Sequence, residues 1–155
     1  MSKQVDEFSF SSFFPYQVRV FYMAVTNKVR ETYATSHGLS VNEWRVMVVL
    51  NEHKYVTAKD VVKYSSITKV NVSRGVSDLE KRGYIERHAD PIDRRAVLLC
   101  LTAKGKKAMA QLVPRVLEVE RQALEGLTES ERDTLVRLME KVRLNADAIK
   151  LDNSE

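Results

Sequence analysis

The sequence predicts a mainly α-helical protein with one small antiparallel β-hairpin. Three observations support this class. Apolar residues recur at steps of three or four along most of the 155 residues. Helix-capping patterns of the form Ser/Thr-x-x-Asp/Glu begin several of these stretches. Only between residues 84 and 101 do two short stretches of alternating character flank an Asp-Pro turn signal.

The composition excludes several classes of protein. Apolar residues make up 44% of the chain and charged residues 30%, as in an ordinary globular protein. No stretch approaches the roughly 18 apolar residues of a membrane span, and the N-terminus lacks a secretory signal pattern. Cys100 is the only cysteine, so neither an intrachain disulfide nor a cysteine zinc cluster can form. We therefore expect a cytoplasmic protein with no membrane partner.

The charge is unevenly placed along the chain. Residues 54–107 carry 13 Lys and Arg against 6 Asp and Glu, a balance of +7. The rest of the chain carries 12 basic and 15 acidic residues, a balance of −3, which gives the net +4. A basic middle indicates an anionic partner such as nucleic acid, although a solvated surface would also explain it.

The first two helices follow from periodicity and capping. A stripe of apolar residues predicts a helix over residues 14–36 that ends at Gly38. Ser40 and Glu43 form a capping box at the start of a second helix. Residues 44–50 are apolar almost all round and would also fit a buried strand, but the capping box favours a central, buried helix.

The third and fourth helices are separated by a tight turn. Thr57 and Asp60 resemble another capping box, so a short helix with Ala58, Val61 and Val62 facing inward is expected. After the turn at residues 65–67, Thr68 caps a fourth helix that ends at Gly83. Its buried stripe is predicted to be Val72, Val76 and Leu79, and Gly75 beside it allows a neighbouring helix to approach closely.

The hairpin is predicted from strands at residues 84–88 and 96–101. Its tip carries Arg94 and Arg95. Cys100 lies on the second strand and is interpreted as a small core hydrophobe, because no basic neighbour is evident to activate its thiol.

Two longer helices complete the chain. Thr102 begins a fifth helix with a heptad-like apolar seam, which Pro114 should kink. Gly126 closes it, and Thr128 with Glu131 caps a last helix, whose seam is predicted at residues 135, 138, 142 and 149.

This order of elements is that of a winged helix-turn-helix domain, and the outer face of the fourth helix suits the major groove of DNA. The turn and helix residues predicted to contact DNA are Ser66, Thr68, Lys69, Val70, Asn71, Ser73, Arg74 and Ser77. Arg94 and Arg95 at the tip of the wing are predicted to enter a minor groove. Two alternatives remain open: Val70 is a scattered exposed valine rather than a thymine contact, and Asp93 pairs with Arg95 on a surface hairpin without a partner.

Residues 57–105 resemble the MarR family of multiple antibiotic resistance regulators. The matching motifs are Thr-Lys-Val-Asn-Val-Ser-Arg at 68–74, Leu-Glu-Lys-Arg-Gly-Tyr-Ile at 79–85, and Asp-Pro-Ile-Asp-Arg-Arg at 90–95 followed by Leu-Thr-x-x-Gly at 101–105. The resemblance implies a homodimer on a pseudo-palindromic operator, with Arg95 first and Arg94 second as the groove-entering residue. It also implies a small-molecule effector, often an aromatic or other carboxylate, and repression as the family habit.

Dimerisation is also expected from the apolar surface that a small winged domain cannot cover. All five phenylalanines lie within the first 21 residues, as is typical of an interface. We expect dimerisation helices in residues 1–38 and 103–151, a DNA-binding domain at residues 39–102 and a frayed tail at residues 152–155.

An effector site is suggested where arginines lie beside aromatic residues. The candidates are Tyr16, Arg19, Tyr33, His37, Trp44 and Arg45. The alternative is that the aromatic residues are core and the arginines are at the surface or ion-paired.

No other chemistry is predicted. The three histidines are too scattered to suggest a metal site, no cysteine lies near the first helix to act as a sensor, and no cofactor or catalytic motif is present. The competing hypotheses to an effector-relieved repressor are a winged-helix module that binds proteins, and an activator without an effector. The cations on the fourth helix argue against the protein-binding module.

Overall fold

The computed structural model describes residues 8–93 and 95–150, and within them the chain forms six helices and three strands. They are α1 Phe14–His37, α2 Val41–His53, β1 Val56–Thr57, α3 Ala58–Ser65, α4 Lys69–Lys81, β2 Ile85–Ala89, β3 Val97–Leu101, α5 Ala103–Ala123 and α6 Glu129–Asp147. The mainly helical class with a small antiparallel sheet is confirmed. Arg94 and the tail at residues 152–155 lie outside the described residues.

The helices begin at the residues that the capping patterns predict. Ser40, Thr57 and Thr128 each accept a hydrogen bond from a backbone amide three residues on, and the carboxylate of that residue accepts one in return. Thr68 caps α4 in the simpler way, by accepting from the amide of Asn71. Gly38 ends α1 with φ +60°, a conformation that favours glycine.

The sheet has three strands, in the order β1-β3-β2, and both pairings are antiparallel. The sequence predicted only the β2–β3 hairpin, whose strands begin one residue later than expected. Strand β1 was missed because two residues between a helix and a capping box are too few to show an alternating pattern.

The described residues form two compact units that divide after Glu120. The first unit holds the hydrophobic core, with α2 at its centre: Val46, Met47 and Leu50 are almost completely inaccessible to solvent. At Gly75 of α4 an added Cβ would lie 3.4 Å from Val46 and 3.5 Å from the backbone of Asn42, so α2 and α4 approach closely, as predicted. In the second unit, α6 has no buried residue.

Two details of the predicted burial pattern are wrong. Ala58 is exposed rather than inward-facing. It is the first residue of α3, and the buried face of that helix begins only at Val61. Ile149 does not continue the seam of α6, because that helix ends at Asp147. Pro114 lies inside α5, which continues to Ala123. In the described parts of the chain, no helix has both the length and the apolar character needed to cross a bilayer.

Candidate nucleic-acid interface

Helix α4 buries one stripe and exposes the opposite face. Val72, Val76 and Leu79 are at most 3% exposed and belong to the main core cluster. At 100° per residue, the burial of this stripe turns the polar positions of the helix outward. The outer residues that are exposed are Lys69, Val70, Ser73 and Arg74, while Asn71 and Ser77 are half-buried. Val70 is 59% exposed although it is apolar, so packing within the chain does not explain it.

The turn before α4 presents hydroxyl groups beside a helix N-terminus. Ser66 is exposed in a left-handed conformation with φ +55°, and Thr68 is exposed as the N-cap residue. The oxygen Oγ1 of Thr68 lies 3.3 Å from the amide nitrogen of Asn71. The first amides of a helix have no partner within the helix, and such a helix N-terminus can bind a phosphate.

The wing tip is held in shape by two aspartates. One carboxylate oxygen of Asp90 accepts from the amides of Ile92 at 2.8 Å and Asp93 at 3.3 Å. The carboxylate of Asp93 accepts from the backbone amide of Arg95 at 3.0 Å. The contact between Asp93 and Arg95 therefore fixes the loop through the main chain and leaves the exposed Arg95 side chain available.

The cations of this region fall into two groups. Arg87 contacts Glu80 at 2.9 Å, and Lys81 lies 3.7 Å from Asp78. By contrast, over residues 8–93 and 95–150 no ion pair engages Lys69, Arg74 or Arg95. Unpaired cations on an exposed face are free to contact an external anion.

A cleft of about 520 Å³ joins α3, α4 and β2. Its walls are mostly apolar, and Lys59, Lys69, Ser73 and Arg87 contribute their side chains to it. The cleft shows that the N-terminal half of α4 lies beside β2, which forms the root of the wing. The sequence analysis did not single out Lys59 on α3 or Arg87 on β2. A usable signal existed for Lys59, because basic residues on the first helix of a helix-turn-helix pair contact the DNA backbone.

A second cleft of about 280 Å³ lies between α1 and α2. Its floor is a stacked aromatic pair, Tyr33 and Trp44, with ring centroids 5.0 Å apart. Arg45 lies at its edge and donates to the hydroxyl of Tyr22 at 3.4 Å. Burial raises the pKa of Tyr33, and the nearby Arg30 and Arg45 oppose that rise. The cleft thus combines aromatic faces with two cations.

Arg82 connects the end of α1 to α2 and to the end of α4. Its guanidinium lies 2.8 Å from the carboxylate of Glu43 and donates to the backbone carbonyls of His37 and Gly38. Burial alone would raise the pKa of Glu43, but hydrogen bonds from Ser40 and the charge of Arg82 lower it overall. The carboxylate therefore stays ionised, and the Glu43–Arg82 ion pair joins the α1–α2 junction to the residue that follows α4.

Comparison with known proteins gives the same fold and family. The MarR family model matches residues 37–96. A MarR/EmrR family transcriptional regulator from Acinetobacter sp. ADP1 superposes with a TM-score of 0.80 at 26% identity, covering 92% of this chain and 100% of that one. The part of the chain that holds the helix-turn-helix and the wing thus matches the MarR family, and a MarR-family structure superposes on most of the chain. Proteins of this family are DNA-binding transcription regulators rather than enzymes.

Two further relatives are informative. The HTH-type transcriptional repressor YetL of Bacillus subtilis (strain 168) is 24% identical over 115 residues, which are 73% of this chain and 69% of YetL. BpsR of Bordetella bronchiseptica, whose DNA binding is regulated by 6-hydroxynicotinic acid, superposes with a TM-score of 0.78 at 26% identity. That superposition covers 88% of this chain and 97% of BpsR.

Half of the residues predicted for an effector site lie together in the structure. Tyr33, Trp44 and Arg45 line the α1–α2 cleft. The remaining three lie outside its walls: Tyr16, Arg19 and His37. Sequence analysis missed Tyr22 and Arg30, which also line the cleft, although their spacing to Tyr33 places the three residues along one side of α1.

Cys100 is buried, as predicted. Its thiol lies 3.6 Å from the carboxylate of Glu86, and both burial and that carboxylate raise its pKa. A raised pKa keeps the sulfur protonated, which agrees with the expectation that it is not a reactive thiolate.

Proposed function

We propose that the chain is a homodimeric regulator that binds a pseudo-palindromic DNA operator and represses transcription. The single observation that carries this proposal is the outer face of α4, where Lys69 and Arg74 are exposed without an ion-pair partner in the described chain. A helix that buries its apolar stripe and keeps its cations unpaired has a surface suited to an anionic groove.

The roles proposed for the side chains follow from their chemistry. Asn71, Ser73, Arg74 and Ser77 would contact base edges, and Val70 would contact a thymine methyl group. Ser66, Thr68 and Lys69 would hold phosphates at the N-terminus of α4. Arg95, and Arg94 second, would enter the minor groove from the wing.

The wing contact predicts that Arg95→Ala weakens operator binding about 10- to 100-fold, because each wing of the dimer loses a cation from the groove. The melting temperature should not change, since the side chain is exposed and only its backbone amide holds the loop. The measurement is fluorescence anisotropy with a fragment selected from genomic DNA. Arg115→Ala on α5, which removes the same charge from a helix outside α4 and the wing, is the control. An Arg95→Ala affinity equal to that of the control would remove the wing from the interface.

Dimerisation is proposed from apolar surface that the single chain leaves uncovered. Phe14, Val18 and Phe21 on α1 are each about half exposed, at 55%, 46% and 49%. In the second unit, Leu138 and Val142 lie on the stripe of α6 and are 46% and 41% exposed. Because large exposed apolar patches mark interfaces, we assign residues 1–38 and 103–151 to dimerisation and residues 39–102 to DNA binding.

The dimer hypothesis predicts that sedimentation finds no well-folded monomer of the wild type even at nanomolar concentration. Leu138→Glu combined with Val142→Glu should lower the dimer affinity by at least about 100-fold, since two charges would be buried at the interface. Val136→Glu, a similar change off the stripe, should leave the dimer intact. A folded wild-type monomer would contradict the hypothesis.

The α1–α2 cleft is the proposed effector site, and a small aromatic carboxylate is the proposed effector class. Tyr33 and Trp44 offer aromatic faces, and Arg30 and Arg45 offer cations to a carboxylate. The regulation of BpsR by 6-hydroxynicotinic acid supports a ligand of this kind. Binding would act on α4 through the contact of α2 at Gly75 and through the Glu43–Arg82 ion pair.

The cleft contains the only tryptophan of the chain, so ligand entry should change the intrinsic fluorescence of Trp44. We expect 6-hydroxynicotinate or benzoate to do so and to weaken operator binding. Arg45→Ala should weaken the ligand about 10- to 100-fold, as expected for loss of a hydrogen bond to a charged group. Lys28→Ala, which removes a cation that pairs with Glu31 on α1, is the control. Release of the operator without any change at Trp44 would place the effector elsewhere.

A further inference from the structure

A cluster of three potential metal ligands lies at the root of the wing. Glu86 and His88 are two residues apart on β2 and so share one face of the sheet. Cys100 on β3 is directly opposite Glu86 in the antiparallel register. The ligand atoms of all three side chains lie within 4.8 Å of one another.

The spacing of these atoms fits a tetrahedral ion. A carboxylate oxygen of Glu86 lies 3.6 Å from the sulfur of Cys100 and 3.2 Å from Nε2 of His88. Zinc binds sulfur at about 2.3 Å and nitrogen or oxygen at about 2.0 Å, so tetrahedral ligand atoms lie about 3.3–3.5 Å apart. The two measured separations therefore agree with two edges of a zinc tetrahedron to within 0.1 or 0.2 Å.

The donor set and its surroundings also match a metal ion. Thiolate, imidazole and carboxylate together are a typical set for zinc and for other divalent transition metals. Cys100 is 5% exposed, whereas the side chains of Glu86 and His88 are about half exposed. An ion bound here would have a buried ligand in Cys100 and two ligands that face solvent.

We propose that Glu86, His88 and Cys100 form a binding site for a divalent transition metal ion, with zinc as the best fit. On binding, the thiol of Cys100 would release its proton to solvent and the sulfur would bind the ion as thiolate. The ion would tie β2 to β3 only two residues before Asp90, where the wing tip begins. The metal would thereby fix the position of Arg95, a consequence that rests on the proposed DNA-binding function.

The test uses the full-length protein, first without DNA. Addition of Co²⁺ should produce a sulfur-to-cobalt charge-transfer band with one ion per chain, and Zn²⁺ should displace it. Cys100→Ser should abolish the band. His88→Gln, at an exposed position that does not threaten folding, should weaken Zn²⁺ binding by about 100-fold or more, since even indirect partners of a metal contribute 10- to 100-fold. His53→Gln, the same change at a histidine stacked on Tyr64, should bind Zn²⁺ like the wild type.

Absence of the band in the wild type, or a band that survives in Cys100→Ser, would overturn the site. Equal Zn²⁺ affinity of His88→Gln and His53→Gln would also overturn it. Operator binding is then measured with and without Zn²⁺, and the expected result is a shift in the wild type that is lost in His88→Gln. Failure of DNA binding in every form would contradict the proposed function but leave the spectroscopic result standing.

Discussion

Gly105→Ala is expected to destabilise the fold by about 3 kcal/mol or more, and to prevent folding if the wild type is only marginally stable. A Cβ at this position would overlap the backbone carbonyl oxygen of Tyr84 and lie 3.1 Å from the side chain of Leu101. The oxygen cannot swing away like the end of a side chain. The same oxygen accepts a hydrogen bond from the backbone amide of Thr102 at 3.0 Å. Relief of the clash would therefore separate the start of α5 from the sheet. Urea unfolding at fixed protein concentration measures the change.

Gly75→Ala is the matched control, since it makes the same change inside another helix. The new Cβ would meet Val46 and Asn42 at 3.4–3.5 Å, which is ordinary contact. Alanine also favours a helix over glycine by up to about 1 kcal/mol, so this variant should be neutral or slightly more stable. If Gly105→Ala unfolds at the same urea concentration as Gly75→Ala, the close approach of α5 to Tyr84 is not a feature of the folded protein.

The sequence predicts local structure well in this chain because the local signals agree with one another. In α4, the buried stripe and the exposed Val70 follow from the 3.6-residue period, and the cap follows from the hydroxyl of Thr68. The hydrogen-bonded wing loop follows in the same way from Asp90 and Asp93, which lie within a few residues of the amides that they accept. The helix and wing that form the candidate interface are therefore largely visible before folding is considered.

Contacts between distant residues could not be predicted. Glu43 and Arg82 are 39 positions apart, and no pattern near either residue indicates that they pair across α2 and α4. Arg45 and Tyr22, which are in contact beside the α1–α2 cleft, are 23 positions apart. Cys100 and Glu86 meet only because the β2–β3 register aligns them. Such contacts depend on packing, so the sequence supplied candidates for the interface but not the arrangement of the cleft or of the proposed metal ligands.

Specific operator binding is expected to fall about 10³- to 10⁵-fold between about 50 and 200 mM salt. The described part of one chain offers five exposed cations without an ion-pair partner on α3, α4 and the wing: Lys59, Lys63, Lys69, Arg74 and Arg95. A two-fold dimer doubles that number, which matches the roughly 6–10 phosphate contacts that such a salt dependence requires. Titrations of a selected genomic fragment at several salt concentrations measure the slope of log K against log salt.

The variant Lys69→Ala tests which residues cause the slope of log K against log salt. This variant removes one proposed phosphate contact from each half-site, so the magnitude of the slope should decrease by about 2. Because a phosphate contact carries no sequence information, the ratio of specific to nonspecific affinity should change little. Arg74→Ala should instead reduce that ratio, since its contact would be to a base. A complex insensitive to salt, or equal effects of the two variants on specificity, would show that the cations of α4 do not bind DNA in the proposed way.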